Sequence, residues 1–386
     1  MKNNRISIFF GLVFLVVITI ITTLIFSGIN NFALTGSING YSKEEMAFIQ
    51  KIMSSKDVLI NKFYDDVSEE KLYDGAMAGM FEAANDPYTE YLSAEASDAL
   101  EQIATGKYDG IGIVVTILNE EKYPTILYTL PNSPAEKAQL QENDKIVSIN
   151  GTSCESMELN KVVELMKVKA GSELKLLIER SSESVTVSLK TEEISLSSVY
   201  SKVIDGVGYI EISTFDEQTS KEFTEEYEKL RKENISGLII DVRDNGGGVF
   251  EEAVKIAKLI VPEGLIVYTE DKDGKRVEEN STGEGIDIPL VMLINENSAS
   301  ASEILAGAVK DRKCGTLVGE KTYGKGVVQG WFMINDGTSI KLTIAKYFTP
   351  SGVCIDGVGI EPDVYVEKGK ANVDLQLKKA VEMLKR

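Results

Sequence analysis

The stretch Leu290-Val291-Met292-Leu293-Ile294-Asn295-Glu296-Asn297-Ser298-Ala299-Ser300-Ala301-Ser302-Glu303 joins an unbroken apolar run to a cluster of small polar residues. Five apolar residues in a row read as a strand buried on both faces, as in a parallel sheet. Ser300 to Lys310 then reads as a helix. Upstream the same pattern occurs with different chemistry. Gly237-Leu238-Ile239-Ile240-Asp241-Val242-Arg243 is a buried strand, Asp244-Asn245-Gly246-Gly247-Gly248 a turn, and Val249 to Leu259 a helix. Val207 to Ile212 adds a strand and Ser220 to Glu233 an amphipathic helix. This alternation predicts an α/β layer over residues 191–370, closed by a C-terminal helix within 371–386.

Both strand-to-helix junctions have a structural and a chemical reading. Three glycines let a backbone turn tightly, and their N–H groups beside a helix N-terminus favour negative charge. Most glycine-rich turns only turn the chain. This one is not a phosphate loop, because no Lys-Ser or Lys-Thr follows it. A serine between a buried strand and a helix can cap the helix, or it can stand as a nucleophile with backbone N–H groups nearby. Capping accounts for one of Ser298, Ser300 and Ser302, not for all three.

A serine nucleophile needs a base, and the chain contains no histidine. Ser-His-Asp and Cys-His catalysis are therefore excluded, as are zinc sites built on imidazole. A lysine can serve if burial brings its pKa down from about 10.4. Lys325, in Thr322-Tyr323-Gly324-Lys325-Gly326-Val327-Val328-Gln329, lies between two glycines and before an apolar pair. That setting is unlike the usual surface lysine.

The rest of the chain sets the context. Of 386 residues, 43% are hydrophobic and 26% charged, which fits a globular protein of two or three domains. The net charge of −19 leaves no basic stripe for nucleic acid. Cys154, Cys314 and Cys354 are too few and too widely spaced for a disulfide framework or metal knuckle. Ile6 to Ile29 carries no charge and follows Lys2 and Arg5. As a helix it would be roughly 36 Å long, enough to cross a bilayer. The expectation is a single-pass signal anchor at 6–29 with residues 1–5 in the cytoplasm and the remainder outside the cell membrane; a cleaved signal peptide is the competing reading. Residues 30–105 read as a helical arm, with Asn85-Asp86-Pro87-Tyr88 marking a turn. The arm is either a packing cap or a surface for homodimerisation.

Between 106 and 190 the pattern turns to short strands, including Asn143-Asp144-Lys145-Ile146-Val147-Ser148-Ile149 closed by Asn150-Gly151. This segment resembles a bacterial PDZ domain. The matching residues are the loop Gly110-Ile111-Gly112-Ile113, the helix start Ser133-Pro134-Ala135, and Asp144-Lys145-Ile146 with Ile149-Asn150-Gly151. Gln139 and Asn143 depart from it, standing where such domains usually have glycines. The resemblance implies that an extended peptide adds to a sheet edge, with its terminal carboxylate on the N–H groups of Gly110, Ile111, Gly112 and Ile113.

With Ser298-Ala299-Ser300-Ala301-Ser302-Glu303, Gly324-Lys325-Gly326, Gln329 and Asp241-Val242-Arg243-Asp244-Asn245-Gly246-Gly247 in view, nearly the whole chain resembles the C-terminal processing peptidases, or tail-specific proteases. That resemblance implies a crotonase-like β/α peptidase core and a serine endopeptidase acting on proteins with exposed C-terminal tails, without metal or cofactor. It implies Ser300 as nucleophile, Lys325 as general base, and Gln329 orienting the lysine amine. Ala301 and either Gly246 or Gly247 would form the oxyanion hole, with Glu303 and Asp311 as supports. The PDZ domain would gate the site, and Lys167 could sense the bound tail. The rival reading is an anchored PDZ scaffold with an inactive peptidase domain, against which intact Ser300, Lys325 and Gln329 speak. A Ser-Ser-Lys amidase would need a Gly-Gly-Ser-Ser segment, which is lacking.

Overall fold

The computed structural model describes residues 41–117, 121–369 and 373–385. The expected anchor at 6–29 lies outside them. Among the described residues no helix is long and apolar enough to cross a membrane. The chain divides into two compact units, residues 1–80 and 81–386.

The first unit holds α1 (Lys43–Lys62) and most of α2 (Glu69–Glu82). Ser42 and Glu45 form a reciprocal capping box at the start of α1. Neither helix has a buried residue.

The second unit opens with β1 (Glu90–Leu92), α3 (Ala94–Thr105) and β2 (Lys107–Gly110). The β-rich segment follows: β3 (Ile113–Thr116), β4 (Thr125–Thr129), α4 (Pro134–Lys137), β5 (Lys145–Ile149), β6 (Thr152–Ser153), α5 (Leu159–Met166), β7 (Glu173–Arg180) and β8 (Glu183–Lys190). The sheet order β3-β4-β5-β7-β8 leaves β3 at an edge. Ile111, Ile126, Ile146, Val162, Leu174 and Ile178 fill its core. Asn150 and Gly151 both have positive φ, as a two-residue hairpin turn requires. Gln139 (φ 60°) and Asn143 (φ 70°) adopt the left-handed conformation for which glycine is the usual choice. The glycine-type turns therefore persist without glycine.

After β9 (Glu192–Ser195), which pairs with β2, comes the α/β core: β10 (Val199–Ile204), β11 (Val207–Ile212), α6 (Thr219–Lys232), β12 (Leu238–Asp241), α7 (Phe250–Ile260), β13 (Gly264–Asp271), β14 (Arg276–Ser281), β15 (Leu290–Ile294), α8 (Ala301–Asp311), β16 (Thr316–Gly319), β17 (Val327–Met333), β18 (Ser339–Phe348), β19 (Val364–Tyr365) and α9 (Leu375–Leu384). The sheet β10-β11-β12-β15-β16-β19 is parallel from β11 onward. Alternate residues serve its two faces. Leu238, Ile240, Met292 and Ile294 join the core beneath α6, α7 and α8, while Ile239, Val291 and Leu293 meet α9. The strands are apolar throughout because both faces are covered.

Two features depart from the sequence reading. The segment 41–105, read as helical, contains the strand β1, which pairs antiparallel with β18. The core also has a second sheet, β1-β18-β13-β14 with β17 alongside β18. The residues of β17 and β18 are mostly half-buried or exposed, so no continuous apolar run announces them.

Candidate active site

The two strand-to-helix junctions lie side by side because β12 and β15 are adjacent. Asn245 knits them together. Its side-chain amide donates to the Ile212 carbonyl (2.7 Å), and its backbone carbonyl accepts from the Ala299 N–H (3.0 Å) and the Ser302 hydroxyl (2.9 Å). From the other side the Ser298 hydroxyl donates to the Val242 carbonyl (2.7 Å). Asp244 takes hydrogen bonds from the side-chain amides of Asn295 (2.9 Å) and Asn297 (2.7 Å). Two of the three serines are thus fully buried fasteners, and Ser300 between them is half-buried.

Ser300 has φ 55° and ψ −113°, a strained conformation for a residue with a Cβ. Such strain persists only where the surroundings over-determine it. Here the Glu303 carboxylate accepts the Ser300 N–H at 2.8 Å, and the buried Tyr347 hydroxyl donates to the Ser300 carbonyl at 3.0 Å.

Glu303 and Tyr347 also hold the lysine loop. One Glu303 oxygen accepts the Thr322 hydroxyl (2.6 Å) and the Gly324 N–H (2.8 Å), and the oxygen bound to Ser300 N–H also accepts the Lys325 N–H (2.9 Å). Burial pushes the Glu303 carboxyl upward in pKa, against the pull of these four donors. The Tyr347 hydroxyl shares its single hydrogen between the Ser300 and Lys325 carbonyls. Two motifs far apart in sequence are therefore anchored on the same two side chains. Asp311, the other expected support, accepts the Ser351 N–H at 2.9 Å.

The Lys325 amine lies over the Tyr88 ring, 4.7 Å from its centroid. Burial and the neighbouring Lys341 push its pKa below the ordinary lysine range, against Asp86, Glu90 and Glu303. Gln329 differs from expectation. Its amide donates to the Thr343 hydroxyl at 3.3 Å, and no bond to Lys325 is formed among the described residues. The four-residue spacing would place both side chains on one face of a regular strand, but β17 begins only at Val327, so Lys325 lies in the loop before it and strand alternation does not relate the two.

The two glycines differ. A Cβ on Gly247 (φ 103°) would lie 2.8 Å from the Ala299 carbonyl oxygen and 2.8 Å from Ser300 Cβ, so only glycine allows the two loops to close. The Gly247 N–H is already committed to the Asn245 side-chain oxygen (2.8 Å). Gly246 is exposed, with open space where a Cβ would stand. Arg243 was not singled out from the sequence. It pairs with Asp241 and reaches Asp374 (2.9 Å) and Gln376 (3.0 Å) at the start of α9, which ties the glycine loop to the end of the chain.

In the PDZ-like segment the Ile111 side chain is core rather than ligand surface. The Ile111 and Gly112 carbonyls accept from the Ala135 and Leu130 N–H groups (2.9 Å each). Gly110 and Gly112 are buried, Ile113 begins the edge strand β3, and a Cβ on Gly112 would meet Ser133 at 2.3 Å.

A strained serine, locked to a buried lysine loop in an α/β core that carries a PDZ-like segment, is the arrangement of a serine-type peptidase. Comparison with known proteins agrees. Residues 206–366 match peptidase family S41, residues 125–180 match the PDZ domain, and residues 30–96 match the activating protease CtpB N-terminal domain. A probable CtpA-like serine protease from Staphylococcus aureus (strain bovine RF122 / ET3-1) is 35% identical over 359 residues, covering 91% of this chain and 71% of that protein. The carboxy-terminal processing protease CtpA of Bacillus subtilis (strain 168) is 33% identical over 371 residues, covering 95% and 78%. Among solved structures, the photosystem II D1 C-terminal processing protease aligns with a TM-score of 0.50 at 28% identity, covering 85% of this chain and 94% of that one. The chain belongs to the C-terminal processing serine proteases of peptidase family S41.

Proposed function

We propose that the protein is a membrane-anchored endopeptidase that cleaves exported proteins at or near their C-terminal tails with a Ser300–Lys325 dyad. The observation carrying this reading is the shared Glu303 oxygen, which accepts the backbone N–H groups of both residues at 2.8 and 2.9 Å. Ser300 Oγ attacks the scissile carbonyl, and the neutral Lys325 amine takes the hydroxyl proton. The tetrahedral oxyanion is held by the Ala301 N–H and by Gly246, since the Gly247 N–H has another partner. Collapse to the acyl-enzyme passes the proton to the leaving amine. Water, deprotonated by the same lysine, then releases the new C-terminus. Gln329 turns from Thr343 to the lysine amine in the working enzyme.

The PDZ segment binds the substrate tail along β3 with the carboxylate over residues 110–113, and tail binding gates the site. The edge position of β3 supports this reading. The anchor at 6–29 keeps the catalytic unit at the outer face of the cell membrane. Phe48, Ile49, Ile52 and Met53, exposed on α1, support a homodimer formed through the arm. The test is mass spectrometry of the products of a tail-bearing exported protein. Wild type yields new C-termini, and Ser300→Ala and Lys325→Ala yield none while remaining folded. Full activity in either variant refutes the dyad, and tail binding without turnover by wild type favours the inactive scaffold.

A further inference from the structure

The turn Asn85-Asp86-Pro87-Tyr88 has no part in the chemistry above, yet it lies against the base side of the site. Glu303 and Tyr347 fix only the Lys325 backbone. The long side chain is free to swing unless something holds its amine, and the ring of Tyr88 lies 4.7 Å from it. An ammonium this close to an aromatic face is attracted by the ring quadrupole, and the neutral amine can still direct an N–H at the ring, more weakly.

The same turn reaches Gln329. The Gln329 amide donates to the Thr343 hydroxyl (3.3 Å), the Thr343 N–H donates to the Thr89 hydroxyl (3.1 Å), and that hydroxyl donates to the Asp86 carboxylate (2.6 Å). The Tyr88 N–H closes the turn on Asp86 at 3.2 Å. Pairing of β1 with β18, the strand that carries Thr343 and Lys341, holds the turn in place.

We propose that Tyr88 is a positioning residue for the general base: its ring face holds the Lys325 amine, while the turn that carries it restrains Gln329 through Thr343. The proposal rests on Lys325 being the base. The charged groups acting on the amine are Lys341 from β18, Asp86 and Glu90 from the turn and β1, and Glu303 from α8. The carboxylates acting on the Tyr88 phenol are Asp356 and Glu303, with the Tyr323 phenol beside it. Tyr88 also borders a cavity of about 390 Å³ with Asp86, Pro87, Tyr323, Gly324 and Val327, so changing it leaves the main core intact.

The test is the pH dependence of kcat and KM on fluorescein-labelled casein extended by an apolar C-terminal tail, using the full chain. Tyr88→Leu keeps apolar bulk but removes the ring face. Its kcat is expected to fall about tenfold with KM little changed, because placement of the base rather than substrate binding is lost. Loss of the ring disfavours the ammonium, so the acid limb of kcat/KM moves to lower pH by roughly half to one unit. Tyr88→Phe keeps the face and recovers most of kcat with the limb near its wild-type position. Wild-type kcat and limb in Tyr88→Leu overturn the proposal, and so does a Tyr88→Phe variant as impaired as Tyr88→Leu. Thermal unfolding accompanies each variant, and Tyr88→Met replaces Tyr88→Leu if the latter does not fold. Ser300→Ala and Lys325→Ala are assayed in parallel. Activity in those variants overturns the dyad itself, whereas inactive dyad variants beside an unaltered Tyr88→Leu overturn the role of Tyr88 alone.

Discussion

The two sides of the proposed dyad, the serine as nucleophile and the lysine as base, are built differently. Around Ser300 the neighbouring residues are tied to buried backbone carbonyls, Ser298 to Val242 and Ser302 and Ala299 to Asn245, while Glu303 and Tyr347 hold the Ser300 backbone itself. Around Lys325 the backbone is equally fixed, but the two groups expected to act, the amine and the Gln329 amide, rest on Tyr88 and Thr343 through side chains alone. A backbone-built half is committed once folded. A half set by side-chain contacts can change partners through rotamer changes without refolding, so regulation has its natural entry there.

Breaking the bridge between the halves has the largest expected effect. Glu303→Ala leaves two buried and two part-buried donors without their acceptor, at a cost of about 3 kcal/mol, and lets the serine and lysine loops separate. Denaturant unfolding should register the loss, with no cleavage detectable. Glu303→Gln, which keeps the shape, should fall between Glu303→Ala and wild type; wild-type stability in Glu303→Ala would show that the halves are joined by something else.

A smaller effect separates the two glycines on the nucleophile side. Gly247→Ala forces a Cβ into the Ala299 carbonyl at a positive φ and is expected to lose about 2 kcal/mol or more, whereas Gly246→Ala enters open space and should stay within about 0.5 kcal/mol of wild type. Equal melting temperatures for the pair would mean that the loops are looser than their bonds imply.

The smallest effect is electrostatic and belongs to the base side. Lys341 helps to keep the Lys325 pKa below the usual lysine range, and it is paired with Glu90. In the proposed dyad only the neutral amine takes the serine proton, so activity is expected to rise with pH through the depressed Lys325 pKa. Lys341→Met removes a repelling charge and frees Glu90 to attract the ammonium, and both changes move the acid limb of kcat/KM to higher pH. A limb moving the other way would show that Lys341 acts by holding β1 to β18 rather than by its charge.

Much of this was legible in the residues, and the reasons are specific. Strands covered on both faces must be apolar throughout, so Leu238–Asp241 and Leu290–Ile294 stood out, and the small residues after them marked tight junctions. The excess of serines, too many for one cap, resolves into two fasteners and one strained hydroxyl. The second sheet was hidden because Val327–Met333 and Ser339–Phe348 are half-exposed. The three-residue strand Glu90–Leu92 gains its structure only from a partner about 250 positions away, a pairing that local pattern does not carry. The convergence of four donors on Glu303 was equally invisible, since backbone N–H groups leave no mark on composition. The Gln329 spacing did not reveal its bond to Thr343, because Lys325 lies in the loop before β17 and strand alternation does not extend to it.

Arg243 carries a consequence for biosynthesis. Its guanidinium, next to the glycine loop, finds Asp374 only after another 131 residues have been made. A growing polypeptide on its way out of the ribosome holds both junctions long before it holds the helix that fastens them. Until Asp374 is made, the clasp is half made, with Asp241 its sole anionic partner, so the finished loop waits on a residue far downstream of it.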